Sequence, residues 1–158
     1  MLRQTLPSDL TDLAPRLTQT DLKEVEVLTG LGPLEALAGG LFRGSSCMTG
    51  LDSETGEIVC VFGVVPYNEM VGSVWFLTSD LIHKPNNKRT LVRLARGWLD
   101  EQNARYSVLT NFVLESNDVH LRLVRHFGFT LGDPLEISGS SERAIPIERK
   151  QTCALLQS

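Results

Sequence analysis

The stretch Lys84-Pro-Asn-Asn-Lys-Arg-Thr90 gathers three cations and a hydroxyl, which is the composition of an anion site. Lys84, Lys88 and Arg89 can supply charge-assisted hydrogen bonds, and Thr90 can cap a helix and touch the same anion. A plainer reading stands beside it. Arg89, Arg93 and Arg96 fall at i, i+4 and i+7, the spacing of the solvated stripe on an amphipathic helix. Groups able to carry a proton near neutral pH are Glu69, Glu115, His120 and Tyr67, each in a loop or at the end of an element. Asn117 precedes a helical run and reads first as its N-cap. Thiol and metal chemistry find little support. Cys47, Cys60 and Cys153 are odd in number and lack C-x-x-C spacing, while His83, His120 and His126 show neither helical pairing nor an acidic partner at ligand spacing, so no metal site is expected.

The elements that must hold these groups follow from periodicity and punctuation. Leu2 to Leu6 reads as a short strand stopped by Pro7, and Ser8 as the N-cap of a helix carrying Leu10, Leu13, Ala14 and Leu17, with Pro15 ending or kinking it. A helix from Thr20-Asp21 closes at Gly30, and a third spans Leu34 to Leu41. Cys47 to Asp52 and Ile58 to Val65 predict a hairpin around Ser53-Glu-Thr-Gly56, followed by a strand from Val71 to Thr78. After a polar loop, His83 to Arg89, comes a helix with Leu91, Leu94, Ala95, Trp98 and Leu99 on one face. A strand from Tyr106 to Leu114, a helix from about Asp118 to Phe127 stopped by Gly128, and strands Phe129 to Ile137 and Ala144 to Glu148 complete the reading. Trp75 and Trp98 are expected in the core, with Trp75 alternatively lining a cleft.

Composition bounds the rest. A chain of 158 residues with 42% apolar and 22% charged residues reads as one globular domain, 1–158, with a core that needs no disulfide or metal. No apolar run approaches a bilayer span and no signal segment opens the chain, so no membrane partner is expected. A formal charge of −4 argues against a nucleic-acid binder, which depends on excess Lys and Arg to neutralise phosphates.

The order of strand, helices, three antiparallel strands, helix, strand, helix and terminal strands is similar to the GNAT (Gcn5-related N-acetyltransferase) superfamily. Three segments resemble one group within it, the GNAT-like proteins of short-tailed bacteriophages, described in some phages as internal virion proteins and in others as acetyltransferases. These segments are Asp21-Leu-Lys-Glu24, Val74-Trp-Phe-Leu-Thr-Ser-Asp80, and Asn111-Phe-Val113 with Asn117, His120 and Arg122. The resemblance implies an α+β fold: a mixed, mostly antiparallel sheet of about six to seven strands with helices on both faces. It also implies a cleft between Val74 to Thr78 and Val108 to Leu114, where free backbone groups bond the pantetheine arm of acetyl-CoA or CoA. Trp75, Phe76, Leu77, Thr78, Lys84, Lys88, Arg89, Thr90 and Asn117 are then the candidate cofactor-binding residues, with Glu69 and Glu115 as catalytic candidates.

Two departures from the family pattern matter. The pyrophosphate loop of these enzymes, [RQ]-x-x-G-x-[GA], has no glycine counterpart in Lys84 to Thr90, and the position of the Tyr general acid, four residues before Gly128, is Val124. The expected function is therefore that of a phage GNAT-fold protein acting by binding a virion protein or a host bacterial protein. Its expected location is the host cytoplasm and the virion interior. The alternative is an active acetyl-CoA-dependent N-acyltransferase, with water or Glu69 in place of the usual acid and base.

Overall fold

The computed structural model describes residues 1–152; Cys153 lies outside them. Its strands are β1 (Leu2–Gln4), β2 (Ser46–Leu51), β3 (Ile58–Pro66), β4 (Val71–Thr78), β5 (Val108–Leu114), β6 (Thr130–Leu131), β7 (Leu135–Glu136) and β8 (Arg143–Lys150). Its helices are α1 (Pro7–Leu13), α2 (Gln19–Thr29), α3 (Pro33–Arg43), α4 (Pro85–Arg105) and α5 (Asp118–His126). The sheet runs β1-β2-β3-β4-β5-β8-β6, with β7 also paired to β8. Every pairing is antiparallel except β4 with β5. The mixed, mostly antiparallel sheet expected from the sequence is present, with helices on both faces. Among the described residues its strand number rises to eight because the run expected from Phe129 to Ile137 breaks at Gly132-Asp-Pro134 into β6 and β7, Pro134 having no amide to give a ladder.

Strand β3 is buried along most of its length and from Cys60 onward divides two cores by alternation. Phe62 and Val64 face a core built with Trp98 and Leu99 of α4, Leu123 and Val124 of α5, and Leu109 and Val113 of β5. Val61 faces the other, with Leu10 and Leu13 of α1, Val25 of α2 and Leu37 of α3. Trp98 belongs to the first core as expected, its Nε1 donating to Ser46 Oγ at 2.9 Å. Trp75 packs on the second, and this contact fixes a residue type in α3. A Cβ on Gly40 would lie 2.5 Å from two indole carbons of Trp75, so only glycine lets helix and ring approach this closely. Cys60 is buried among apolar neighbours, as expected for a small apolar side chain, and burial pushes its thiol up to about 12.

Helix termini differ from expectation at two places. Ser8 is not the cap of α1. The helix begins at Pro7, which needs no acceptor for its missing N–H, and Leu6 N–H donates to Asp9 Oδ2 at 2.8 Å. At α4, the polar loop expected through Arg89 is instead a 3₁₀ turn at Asp80–His83 followed directly by helix from Pro85. Thr90 therefore lies inside the helix, too far along to cap it, and Lys84 occupies the cap position without a side-chain capping bond. The stop at Gly128 is as expected, its φ of 88° being one that L side chains rarely adopt.

Asp9 also joins the first strand to the second. Arg3 donates to it twice, at 2.6 and 2.8 Å, and Thr49 Oγ1 of β2 donates at 2.9 Å. Burial pushes the Asp9 carboxyl up, but the Arg3, Leu6 and Thr49 hydrogen bonds and the Arg3 charge outweigh it, so the net shift is downward. A depressed carboxyl stabilises the fold above its unfolded pKa and loses that contribution as the pH falls through the folded value. The stability gap between wild type and Asp9→Asn, read from urea unfolding, is expected to be full at neutral pH and to close as the pH drops below about 4.

Candidate functional site at the opening between β4 and β5

Parallel pairing of β4 with β5 lasts only from Val71 to Ser73, opposite Val108 to Thr110, and the two strands then diverge. Alternation decides which groups face the gap. Ser79 N–H turns to Val59 O of β3, whereas Val74 C=O and Thr78 N–H turn away from β3 and make side-chain bonds in the opening, and Thr78 C=O accepts Thr18 N–H. By the same alternation the N–H and C=O of Phe76 face it too.

Side chains stand in for the missing rungs at both ends. At the near end the Asn111 amide donates through Nδ2 to Val74 O and accepts Phe112 N–H through Oδ1 at 2.7 Å. At the far end two carboxylates of α2 perform the same task. Asp21 Oδ2 accepts Thr78 N–H at 2.8 Å and Thr78 Oγ1–H at 2.7 Å, and Glu24 Oε2 accepts Leu114 N–H at 3.0 Å. Asn117 ties the pair together: Nδ2 donates to Asp21 Oδ1 at 3.2 Å and to Glu24 Oε2 at 3.1 Å. Its Oδ1 accepts His120 N–H at 3.1 Å, so the residue is the expected N-cap and a bridge as well.

His120 completes the network, with Nδ1 2.7 Å from Glu24 Oε1. Burial pushes the imidazole pKa down, but the charge and hydrogen bond of Glu24 and the charge of Asp21 push harder the other way, leaving it raised. The protonated form is therefore favoured beside these carboxylates. Geometrically this is a carboxylate-oriented imidazole at the edge of an opening, an arrangement suited to proton transfer.

Two cavities meet at the opening from opposite faces of the sheet. One, a small cavity of about 40 Å³, lies against α4 and α5 and is lined by Phe62, Val74, Trp98, Val124 and Phe127 among others. The other, about 380 Å³ and open to solvent, lies against α2 and α3 and includes Glu24, Leu28, Arg43 and Ser73. Trp75, Phe76, Asn111, Phe112 and His120 line both.

The sequence candidates divide accordingly. Trp75, Phe76, Thr78 and Asn117 are brought together at the opening. Leu77 is buried in the core beneath α1, α2 and α3. Glu69 is exposed in the turn before β4, beside an exposed Tyr67, and Glu115 pairs with Arg143 at 2.7 Å past the end of β5. Neither carboxylate lines either cavity at the opening. Val124 is buried in the apolar wall at the position of the family's Tyr.

Lys84, Arg89 and Thr90 are not assembled around one point. Lys84 and Arg89 line a shallow pocket with Asp52 and Asn87, while Thr90 faces a different one beside Leu2 and Leu91. Lys88 is half-buried in the first turn of α4. At the entry to that helix, Asp52 Oδ2 accepts Asn87 Nδ2–H at 2.9 Å and Lys84 Nζ–H at 3.1 Å, and Oδ1 accepts the amides of Glu54 and Thr55. These bonds, that from Asn87 first, hold the Asp52 carboxyl well below the usual range.

Asp21, Glu24 and Asn111 received no role from sequence, although all three lie in the segments that carry the family resemblance. The available signal was the i, i+3 spacing of Asp21 and Glu24, which places both on one helix face. What they bond lies 57 to 96 residues away, beyond any local pattern.

This architecture is that of the GNAT acetyltransferases. Ard1 from Thermoplasma volcanium matches with a TM-score of 0.66 at 18% identity, over 96% of this chain and 97% of its own. A GNAT superfamily phosphinothricin acetyltransferase from Sinorhizobium meliloti, solved with acetyl-CoA, matches with a TM-score of 0.66 at 14% identity, over 96% and 88%. At such identities the likeness establishes the fold alone. Residues 61–133 also match a family described as "Bacteriophage T7, probable scaffold protein Gp13", which connects the β3 to β6 region with a phage family. Curated protein sequences offer no match.

Proposed function

We propose that this chain is a bacteriophage GNAT-fold protein that works by binding a virion component or a host protein, and not by acetyl transfer. The observation that carries this reading is the occupation of the strand opening by the chain's own side chains. In GNAT enzymes the free backbone groups of this opening bond the pantetheine arm. Here Thr78 and Leu114 give their amides to Asp21 and Glu24, and Val74 O receives the Asn111 amide. The entry to α4 supports the same reading. It lacks glycine, Pro85 removes one amide donor, and Asp52 brings a carboxylate where a pyrophosphate would need positive potential. Val124 offers no proton to a departing thiolate. The match to a phage scaffold family fits a role in the particle or its assembly, in the host cytoplasm or the virion interior.

Calorimetric titration with acetyl-CoA and with CoA tests the proposal. The expected result is no saturable binding up to millimolar ligand. Saturable binding that weakens in a Lys88→Ala plus Arg89→Ala variant would overturn it. One observation favours a second reading, N-acyl transfer from acetyl-CoA: His120, which lines both cavities and is oriented by Glu24, could in its neutral form take a proton from an amine. Acetyl-CoA turnover abolished by His120→Gln would establish that alternative.

A further inference from the structure

Asp21, Glu24 and His120 each offer one ligand atom, and these atoms lie within 4.8 Å of one another. We propose that they form a binding site for a divalent first-row transition-metal ion of the Mn²⁺, Fe²⁺ or Zn²⁺ kind. Two carboxylate oxygens and one imidazole nitrogen make a donor set suited to such ions, whereas Mg²⁺ and Ca²⁺ favour oxygen donors throughout.

Several features of the surroundings fit an ion. Among the described residues, Asp21 Oδ1 and Glu24 Oε1 each accept a single hydrogen bond, from Asn117 and from His120, leaving lone pairs for coordination. The other oxygens are held by Thr78, Leu114 and Asn117, which fix the carboxylates much as outer partners orient ligands in metal sites. Glu24 and His120 line the solvent-open cavity of about 380 Å³, which gives an ion an entry path and leaves room for coordinated water. Two buried carboxylates face a single imidazole, so even the imidazolium form leaves one negative charge, while a divalent ion with neutral His120 balances both.

Binding is an exchange: the ion takes the Nδ1 lone pair of His120, and the proton held there in the imidazolium form leaves to buffer.

The test uses the full chain with Zn²⁺ and Co²⁺ and no acyl-CoA, so its outcome is separate from that of the proposed function. Zn²⁺ calorimetry is expected to give one saturable site, weakened by more than about tenfold in Glu24→Gln and in His120→Gln. Repeating the titration in buffers of different ionisation heat should show proton release below the His120 pKa. Co²⁺ bound to wild type should give visible absorption bands that Zn²⁺ abolishes, a readout that survives if either variant fails to fold. Absence of saturable Zn²⁺ binding at millimolar ion, absence of the Co²⁺ bands, or affinity unchanged in both folded variants would overturn the proposal.

Discussion

Glu24→Ala is expected to lower the free energy of unfolding by about 3–5 kcal/mol, the range found when one partner of a buried charged pair is removed. The Glu24 side chain is 7% exposed, and its two oxygens serve Leu114 N–H, Asn117 Nδ2 and His120 Nδ1. Truncation leaves these donors without a protein acceptor, and it removes the counter-charge of an imidazole whose pKa is raised. Glu24→Gln is expected to cost less, since a carbonyl oxygen remains for one of the donors. Urea unfolding at pH 7, followed by the fluorescence of Trp75 and Trp98, measures both. A loss below about 1 kcal/mol in the Ala variant would mean that the far end of the opening is not held by this residue.

Phe62→Ala is the second substitution with a large expected effect, again about 3–5 kcal/mol. Phe62 is 1% exposed at the centre of β3, with its ring centroid 5.0 Å from that of Trp98 in an edge-on contact and 5.4 Å from that of Phe76. It also walls the apolar cavity behind the opening, so removing the ring enlarges an existing void that the sheet and α4 cannot close by small shifts. The enlarged space is apolar and should accept benzene or a similar small ring. Thermal unfolding with and without benzene checks both parts: a large drop in midpoint for the variant, and partial recovery on adding the ligand.

Much of the fold was legible because its signals are local. β3 announces itself by a β-branched run bounded by turn residues, α4 by its apolar face, and α5 by Asn117 at one end and Gly128 at the other. The start of α4 was missed because Asn86-Asn87-Lys88 reads as loop, while Pro85 is favourable in the first turn once a 3₁₀ segment leads into it. The opening was legible only in part. Trp75, Phe76, Thr78 and Asn117 could be assigned through the strand and helix that carry them. Asp21 and Glu24 could not, because a carboxylate on a helix face ordinarily points to solvent. Only the tertiary arrangement reveals two backbone amides across the sheet waiting for them. Asn111 escaped for a similar reason: nothing in a strand sequence signals that its side-chain amide replaces a ladder bond.

The clamp across the opening has a consequence for how the chain reaches this state. Asp21 meets Thr78 only after 57 residues and Asn117 after 96, and Glu24 meets Leu114 after 90. Contacts of such separation form slowly, because the loop-closure entropy precedes any reward from the contact. On a ribosome, α2 and the first four strands emerge before Leu114, Asn117 and His120 do. The nascent amino-terminal half therefore carries a sheet edge at β4 and two carboxylates with no second strand to join. That interval, in which β4 is open to strands of other chains, ends when β5 and the start of α5 arrive.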